Sequence, residues 1–314
     1  MEELKNIETN VEANTERKKL LFILNPRAGT MQASKHLSEI LQIFSDSGYL
    51  TTVLMTTKSG DARDFAHQYA NEYDVVACAG GDGTYNEMID GVISVGAKCK
   101  IGYIPAGSTN DFGASIGLSK NTIEAANAIA HGEAITLDVG SFNGQHFSYV
   151  ASFGAFTSAS YSVPQNIKNI FGHTAYVLQG IKDIVNIKAQ HVKVITDEGM
   201  PSERVIEEDL VFGAVCNATS VGGVLKLDSF RVDMNDGLME ILLIKSPKNL
   251  LDVNSIALSL LANDLDTKDI AFYSAKTVRF EMDPEVPWTL DGEYKEGASD
   301  IKIETVVDAV NILV

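Results

Sequence analysis

A buried strand that runs into a cluster of glycines is the feature that most constrains this 314-residue chain. The apolar stretch 75–79 has the length of a strand covered on both faces, and the turn Gly80-Gly-Asp-Gly-Thr84 follows directly. A helical pattern comes next, with apolar side chains at Tyr85, Met88, Ile89, Val92 and Ile93. The turn predicts an anion site, because glycines admit a close ligand and a helix start offers free N–H groups.

Asp82 lies inside this turn and indicates which kind of anion binds there. A carboxylate beside phosphates indicates that Mg²⁺ accompanies a nucleotide. Thr84 can cap the helix or donate a hydrogen bond to a phosphate. The two best-known glycine patterns, G-x-x-x-x-G-K-[ST] and G-x-G-x-x-G, are not met. The alternative is a tight strand-to-helix turn in which Asp82 is only a cap.

Composition limits the partners and the compartment. A net charge of −17 disfavours nucleic acid and broad adhesion to anionic lipid, so any membrane contact must be local. Cys78, Cys99 and Cys216 show no C-x-x-C spacing, which favours buried free thiols in a reducing cytosol over disulfides or metal ligands. Residues 1–17 predict a disordered tail rather than a signal peptide. No apolar run reaches about 18 residues, so we expect a cytoplasmic protein without a membrane span.

Residues 18–138 alternate between strand and helix patterns, which predicts a parallel sheet with helices on both faces. Ligands of such sheets bind beyond the carboxyl ends of the strands. The loops that leave those ends are rich in Gly, Asn, Asp and Thr, which suits a polyphosphate; they are 25–30, 80–84 and 105–111. The predicted strands are 19–24, 50–57, 75–79 and 100–104.

Residues 139–304 read instead as short strands with turns, which predicts a mostly antiparallel β-sandwich domain. Residues 305–314 are apolar enough to return to the first domain. Helical patches interrupt the strands at 168–186 and 249–263. The predicted strands after the first domain are 135–140, 146–153, 190–196, 210–216, 238–244, 277–282, 288–290 and 301–304.

Six motifs in this order resemble the catalytic family of diacylglycerol and sphingosine kinases, in its bacterial lipid kinase branch. They are Asn25-Pro-x-Ala-Gly29, Gly80-Gly-Asp-Gly-Thr84 with Asn86-Glu87, Pro105-x-Gly-Ser-x-Asn-Asp-Phe112, Asp138-Val-Gly140, Asp233-x-x-Asp-Gly237 and Asp291-Gly-Glu293. The first domain also resembles NAD kinases and phosphofructokinases in its glycine loop. NAD kinases would need a different C-terminal half.

The resemblance implies that ATP lies between two domains and that its γ-phosphate passes to a lipid hydroxyl, above all that of diacylglycerol. Alternative acceptors are a sphingoid lipid, a polyprenol, phosphatidylglycerol or NAD, and a further alternative is an inactive nucleotide-binding regulator. The resemblance also suggests a homodimer. The nucleotide contacts that it implies are Asn25, Pro26, Arg27, Ala28, Gly29, Thr57, Gly80, Gly81, Asp82, Gly83, Thr84, Glu87, Ser108 and Asn110.

Two carboxylates, Asp291 and Glu293, follow a short strand and are two residues apart. On an extended chain they would point to the same side, and like charges this close raise one pKa toward that of a useful base. We therefore expect Glu293 to be the general base for the attacking hydroxyl, supported by Asp291. Asp82 and Asp138 would complete an acidic cluster at the cleft. The alternative is an acidic hairpin turn without a catalytic role.

A second acidic loop carries Asp233 and Asp236 around an Asp-Gly turn. With the carbonyl of Leu238, these carboxylates could hold a hard cation, and the resemblance implies a structural Mg²⁺ there. A capped turn without metal is the alternative.

Residues 164–193 combine apolar side chains with Lys168, Lys182, Lys188 and Lys193. A basic, apolar segment in an acidic protein predicts a docking face for the inner side of an anionic membrane. A packed helix with solvated lysines is the alternative.

Overall fold

The computed structural model describes residues 17–108, 110–155, 187–218, 220–221, 225–226 and 232–314. Three sequence predictions concern residues outside these ranges: the N-terminal tail up to residue 16, the helical patch 168–186 and most of the basic segment 164–193. Within the described ranges, helices that combine the length and the apolarity needed to cross a bilayer are not found.

The N-terminal region is a parallel sheet in the order β2-β1-β3-β4. Its connections contain the helices, with a 3₁₀ turn at Ala70–Glu72. Its strands are β1 (Lys18–Leu24), β2 (Tyr49–Met55), β3 (Val75–Gly80) and β4 (Lys100–Pro105). Its helices are α1 (Gln32–Lys35), α2 (Leu37–Asp46), α3 (Asp61–Tyr69), α4 (Asp82–Ser94), α5 (Asp111–Ser115) and α6 (Thr122–His131).

Both faces of this sheet are covered by helices, as predicted. Alternate side chains of β1 enter two different cores, because successive residues of a strand point to opposite faces. Leu21 packs with Ala66 of α3 and Met88 of α4, whereas Phe22 packs with Phe44 of α2 and Ile129 of α6. This double burial explains why β1 and β3 are continuous apolar runs in the sequence.

The C-terminal region is mostly antiparallel, which confirms the predicted fold class. It contains one helix, α7 (Leu250–Ala262), in the described part of the chain. Its strands are β5 (Ala134–Phe142), β6 (Gln145–Phe147), β7 (Val150–Gly154), β8 (Gln190–Thr196), β9 (Arg204–Cys216), β10 (Ser220–Val221), β11 (Leu225–Lys226), β12 (Met239–Lys245), β13 (Ile270–Ala275), β14 (Thr277–Glu281), β15 (Trp288–Leu290), β16 (Glu293–Lys295) and β17 (Asp300–Leu313).

A cluster of aromatic rings fills the core of this region. The ring of Trp288 lies 4.8 Å from that of Phe153, 5.1 Å from that of Phe280 and 5.2 Å from that of Phe142. These four rings come from four different strands, so they join β15, β7, β14 and β5 into one packed unit.

The last strand, β17, belongs to both regions. Its first part pairs antiparallel with β14 and β5, and Asn311 and Ile312 pair parallel with β4 of the N-terminal sheet. Between Val306 and Val310 the register with β5 shifts, and Asp308 there has a φ of +51°. The pairing is therefore interrupted at the point where the strand passes from one region to the other.

The structure differs from the predicted strands at 146–153, at β13 and at β16, and the two-residue strands β10 and β11 were also not predicted. The predicted strand 146–153 is two strands, because the backbone N–H groups of Ser148 and Tyr149 bind a distant carboxylate instead of a neighbouring strand. Strand β13 was missed because a single residue separates it from β14. Strand β16 was missed because it is only three residues long and mostly polar.

Candidate active site

Three glycine-containing loops meet at the carboxyl ends of β1, β3 and β4. The backbone N–H of Ala106 donates to the carbonyl of Gly80 at 2.7 Å. A β-carbon on Gly107 would lie 2.5 Å from Cα of Gly81, and one on Gly29, where φ is +49°, would strike the carbonyl of Ala106. The loops thus pack backbone against backbone, which only glycine permits at these positions.

Replacing Gly107 by alanine is expected to separate the loops that follow β3 and β4. The new methyl group would overlap Gly81 and would also lie 2.8 Å from Oδ1 of Asn110, and such overpacking costs about 1–3 kcal/mol. We expect ATP to bind about tenfold or more weakly, as measured by calorimetric titration. Gly96→Ala is the control, since its methyl group would meet open space and the substitution adds only the backbone strain of a φ of +62°, away from the loops of the cleft. Unchanged ATP affinity in Gly107→Ala would contradict the role given to this contact.

A cleft of about 480 Å³ opens above these loops. It brings together residues from the N-terminal loops and Glu293 from the C-terminal region. Ten residues predicted to contact nucleotide line it: Asn25, Arg27, Ala28, Gly29, Thr57, Gly81, Gly83, Thr84, Glu87 and Ser108. The remaining lining residues are Thr56, Lys58, Ser59, Gly107 and Glu293.

Four residues predicted to contact nucleotide are not among those that line the cleft: Pro26, Gly80, Asp82 and Asn110. Asn110 is buried and closes its own loop, with Oδ1 accepting from the N–H of Gly107 at 2.8 Å and Nδ2 donating to the Gly107 carbonyl at 3.0 Å. Gly80 lies under Thr84, since a β-carbon there would be 2.5 Å from Cβ of Thr84. These residues shape the loops from beneath.

The loop after β2 also reaches the cleft, and it supplies a cation that sequence reasoning missed. Lys58 and Arg27 both line the cleft, where cations would offset phosphate charge. Asp61 holds this loop by accepting from the N–H and hydroxyl of Thr57 at 2.7 and 2.8 Å. The backbone hydrogen bond from Thr57 is the main reason that the pKa of Asp61 is lowered. The sequence could have indicated Lys58, because it follows the carboxyl end of β2, and β2 ends at the same edge of the parallel sheet as β1, β3 and β4.

Glu87 and Asn25 link neighbouring loops. Oε1 of Glu87, on α4, accepts from the hydroxyl of Ser59 and from the N–H of Gly60, each at 2.8 Å. Nδ2 of Asn25 donates to Oγ1 of Thr84 at 3.1 Å. The floor of the cleft is therefore a hydrogen-bonded network across four loops.

Asp82 joins the loop after β3 to the helix after β4. Its carboxylate accepts from the N–H groups of Asp111 and Phe112 at 3.1 and 3.3 Å, at the N-terminus of α5. Burial, with a contribution from Asp111, raises the pKa of Asp82 to about 6. These contacts match the alternative in which Asp82 is a cap, although the helix that it caps is α5 rather than its own.

Asp291 is the first residue of a two-residue hairpin turn and Glu293 directly follows that turn, so the prediction that they share an extended chain is wrong. Leu290 pairs with Glu293, and φ is +50° at Asp291 and +86° at Gly292. This is the primed turn geometry that Asp-Gly favours between paired strands. The turn sends the two carboxylates into different surroundings.

The carboxylate of Asp291 is buried and anchors the hairpin. It accepts from three consecutive backbone N–H groups: Ser148 at 2.6 Å, Tyr149 at 2.9 Å and Val150 at 2.9 Å. Burial, with a contribution from Asp82, raises the pKa of Asp291 to about 7 against the lowering effect of these hydrogen bonds. Asp291 therefore fixes the position of Glu293 and has little freedom to reach a substrate.

Glu293 faces the cleft. It is exposed, and a β-carbon added to Gly83 would lie 3.1 Å from its Oε1. Gly81 and Glu293 line the same cleft. The glycine loop and the predicted base thus meet across the space where a nucleotide and an acceptor would have to meet.

The acidic cluster has a different fourth member from the predicted one. Burial raises the pKa of Tyr149, and four carboxylates around it add to the effect: Asp291, Asp82, Asp111 and Glu293. Asp138, which was predicted for this cluster, accepts instead from the N–H groups of Gly237 and Asp308 at 2.7 and 2.8 Å. Asp111 belongs to the motif Pro105-x-Gly-Ser-x-Asn-Asp-Phe112, but nothing in the sequence indicated that Asp111, rather than its neighbour Asn110, would join the acidic cluster.

The predicted metal loop is a pair of tight turns. Asp233 accepts from the N–H of Asn235 at 3.1 Å, and Asp236 from that of Leu238 at 2.9 Å. Nearby, Oε2 of the buried Glu240 lacks a hydrogen-bond partner, and burial together with Asp236 raises the pKa of Glu240 to about 8. No group of three or more His, Cys, Asp or Glu side chains suited to a metal occurs in the described ranges. The metal at Asp233, Asp236 and Leu238 stays a prediction.

Only the end of the predicted basic docking segment falls within the described residues. Nζ of Lys193, on β8, forms an ion pair with Glu281 of β14 at 3.2 Å, so this lysine is paired within the sheet. Lys168 and Lys182 lie outside the described ranges.

The chain is similar to known diacylglycerol kinases in sequence. The family described as the diacylglycerol kinase catalytic domain matches residues 19–142. A diacylglycerol kinase of Bacillus subtilis strain 168 is 31% identical over 281 residues, which cover 88% of this chain and 90% of that protein. A diacylglycerol kinase of Staphylococcus aureus strain MRSA252 is 29% identical over 297 residues, covering 93% and 92%.

The chain is also similar in structure to solved proteins that carry this name. A crystal structure described as that of a candidate diacylglycerol kinase from Bacillus anthracis strain Sterne superposes with a TM-score of 0.76 at 25% identity. A second structure described in this way gives 0.77 at 26% identity. Each covers 95% of this chain and 97% of the other, so the likeness extends over both regions.

Proposed function

The chain belongs to the diacylglycerol kinase catalytic family and is a lipid kinase of that type, and we propose that it transfers the γ-phosphoryl group of ATP to diacylglycerol, forming phosphatidic acid. One observation carries the proposal: Glu293 lines the same cleft as the glycine loop at Gly81. A phosphate-binding loop and a carboxylate base from opposite regions are the two parts that this reaction requires.

In this mechanism the phosphates of ATP lie against the backbone of the loop at Gly81 and Gly83. Arg27 and Lys58, which line the cleft, offset their charge. Glu293 accepts the proton of the lipid hydroxyl while the oxygen of that hydroxyl forms a bond to the γ-phosphorus. The bond from the γ-phosphorus to the bridging oxygen breaks, and ADP leaves with that oxygen. Positioning and charge neutralisation supply most of the catalysis in such transfers.

Two groups of carboxylates are the candidates for binding Mg²⁺, although the described residues contain no cluster of three or more side chains suited to a metal by themselves. Near the cleft, the charge of Asp111 contributes to the raised pKa of Asp82, and Mg²⁺ brought there with the phosphates of ATP would offset that charge. There Mg²⁺ would neutralise charge that develops on the transferring phosphoryl group. In the second group, Asp233 and Asp236 with the Leu238 carbonyl would hold a structural ion, and the orphaned oxygen of Glu240 beside them supports this.

The proposal gives the enzyme a cytoplasmic location with transient contact at the inner face of the membrane, where its acceptor lies. A homodimer remains a prediction from the family resemblance.

A kinase assay with radiolabelled ATP tests the function. Diacylglycerol, a sphingoid base, a polyprenol, phosphatidylglycerol and NAD are offered side by side, with Mg²⁺ or with a chelator. We expect label in diacylglycerol, dependent on Mg²⁺, at about 100-fold or more above a Glu293→Ala control. Preferential labelling of another acceptor would overturn the assignment of diacylglycerol. ATP binding without transfer to any acceptor would favour the inactive nucleotide-binding regulator.

A further inference from the structure

Helix α7 has apolar side chains on two opposite sides. Ile256 and Leu260 are buried in the core that also contains Tyr149 and Val150. The other side carries a stripe of leucines that are well exposed: Leu250 at 77%, Leu251 at 78%, Leu258 at 67% and Leu261 at 44%. A helix needs only one apolar side to pack on its own protein, so the second calls for a different explanation.

This leucine stripe stands apart from the rest of the described surface. Four of the large hydrophobic side chains that are exposed in the described ranges lie on this one helix. The others are scattered over strands and loops: Met31, Leu50, Met55, Met200, Val205, Tyr294 and Val307. Single exposed apolar residues are ordinary, whereas several on one side of a helix, here with the exposed Asn254 among them, mark an interaction surface.

The stripe carries no charge, although the chain has a net charge of −17. The only charged residue of α7 is Asp252, whose carboxylate accepts from Nζ of Lys268 at 2.9 Å and from the backbone N–H of Lys248 at 3.0 Å. The Lys268 hydrogen bond is the main cause of the lowered pKa of Asp252. An acidic protein can approach a bilayer only where its own carboxylates are absent or neutralised, and within α7 the leucine stripe meets that condition, while the exposed Asp264 and Asp266 follow the C-terminal end of the helix.

Helix α7 also packs on the sheet to which the hairpin of Glu293 is attached. It connects β12 to β13 and packs on the side of the C-terminal sheet to which Val150 contributes. The N–H of Val150 binds Asp291, the anchor of the hairpin that carries Glu293. The leucine stripe and the proposed base are thus mounted on one sheet.

We propose that Leu250, Leu251, Leu258 and Leu261 form a lipid-docking surface, which enters the interfacial layer of the bilayer and holds the enzyme where its acceptor resides. The inference rests on the proposed function, because a lipid acceptor supplies the reason for contact with a bilayer. An amphipathic helix of this kind lies in the membrane plane with its apolar side among the acyl chains. Since the stripe is uncharged, the binding that it provides persists at high salt.

The test compares wild type with a variant in which all four leucines are serine. Protein is sedimented, without ATP, with phosphatidylcholine vesicles that contain long-chain diacylglycerol, at low and high ionic strength. We expect wild type to sediment under both conditions and the variant to bind about tenfold or more weakly. The control combines Leu50→Ser and Met55→Ser, which removes exposed apolar side chains from β2 and leaves vesicle binding unchanged. A milder variant, Leu251→Ser with Leu258→Ser, is used if the fourfold variant unfolds.

Activity separates this surface from the proposed function. The fourfold variant should lose activity on vesicle-borne diacylglycerol in step with its binding and keep activity on a short-chain, dispersed diacylglycerol. Unchanged vesicle binding in both leucine variants would overturn the inference. So would conversion of a wild-type dimer into a monomer with vesicle binding retained, since the stripe would then join two copies of the chain. If wild type phosphorylates no diacylglycerol in either form, the proposed function fails, while sedimentation still reports on the surface.

Discussion

Substitution of Glu293 by alanine is expected to lower kcat by about 100-fold or more while ATP affinity stays within about twofold of wild type. The carboxylate faces the cleft, and no described hydrogen bond ties it to the fold, so its loss removes a proton acceptor without disturbing the phosphate loops. Steady-state rates with diacylglycerol give kcat, and calorimetric titration gives ATP affinity.

The matched control for this variant is Glu296→Ala, which removes another exposed carboxylate just beyond the same hairpin. Its activity should equal that of wild type. A near-normal rate in Glu293→Ala would remove Glu293 from the mechanism. Equal losses in Glu293→Ala and Glu296→Ala would show that the charge of the hairpin matters rather than a positioned base.

Substitution of Asp291 by alanine is expected to reduce the free energy of unfolding by about 3 kcal/mol or more. Its buried carboxylate accepts three consecutive backbone N–H groups, and each donor left without a partner costs about 1–3 kcal/mol. Activity should also fall, because the hairpin that positions Glu293 loses its anchor. Urea unfolding followed by circular dichroism measures the stability.

Asp283→Ala provides the comparison for Asp291. Asp283 also accepts a backbone N–H, that of Glu285 at 3.0 Å, but it is exposed and water can replace it. We expect a change within about 0.5 kcal/mol there. An Asp291→Ala protein as stable as Asp283→Ala would refute the anchoring role.

The pKa of Asp291 adds a dependence on pH. Because burial raises this pKa to about 7, the folded state retains a proton that the unfolded state loses near pH 4. The free energy of unfolding should therefore decrease as pH rises from about 4 to 7. Asp82, with a pKa raised to about 6, acts in the same direction, and Asp291→Ala should flatten the profile.

The N-terminal fold could be predicted from the sequence because local pattern and tertiary burial agree there. The apolar run at 75–79 and the glycines after it specify a covered strand and a close-packed turn with no information from elsewhere in the chain. The strand-end loops predicted from this pattern, 25–30, 80–84 and 105–111, supply most of the residues that line the cleft, whereas the individual nucleotide contacts were implied by the family resemblance.

The details of the candidate site depend on contacts between distant residues, which a single sequence does not display. Asp291 binds N–H groups more than 140 positions away, and this bond both splits the predicted strand 146–153 and withdraws the carboxylate from the cleft. Asp138 was grouped with the catalytic acids by its motif, yet its partners are Gly237 and Asp308. In both cases, a carboxylate was expected to contact a ligand and instead accepts hydrogen bonds from backbone N–H groups.

The passage of β17 between the two regions restricts their relative movement. Since one continuous strand joins the two regions, they cannot slide past each other without breaking its pairing with β4 or β14. Strand β5 pairs with β17 on both sides of the interruption at Asp308, so rotation there would also have to bend β5. The N–H of Asp308 also donates to Asp138 of β5, so a paired two-stranded ribbon, rather than a flexible linker, sets the separation between the glycine loops and the Glu293 hairpin.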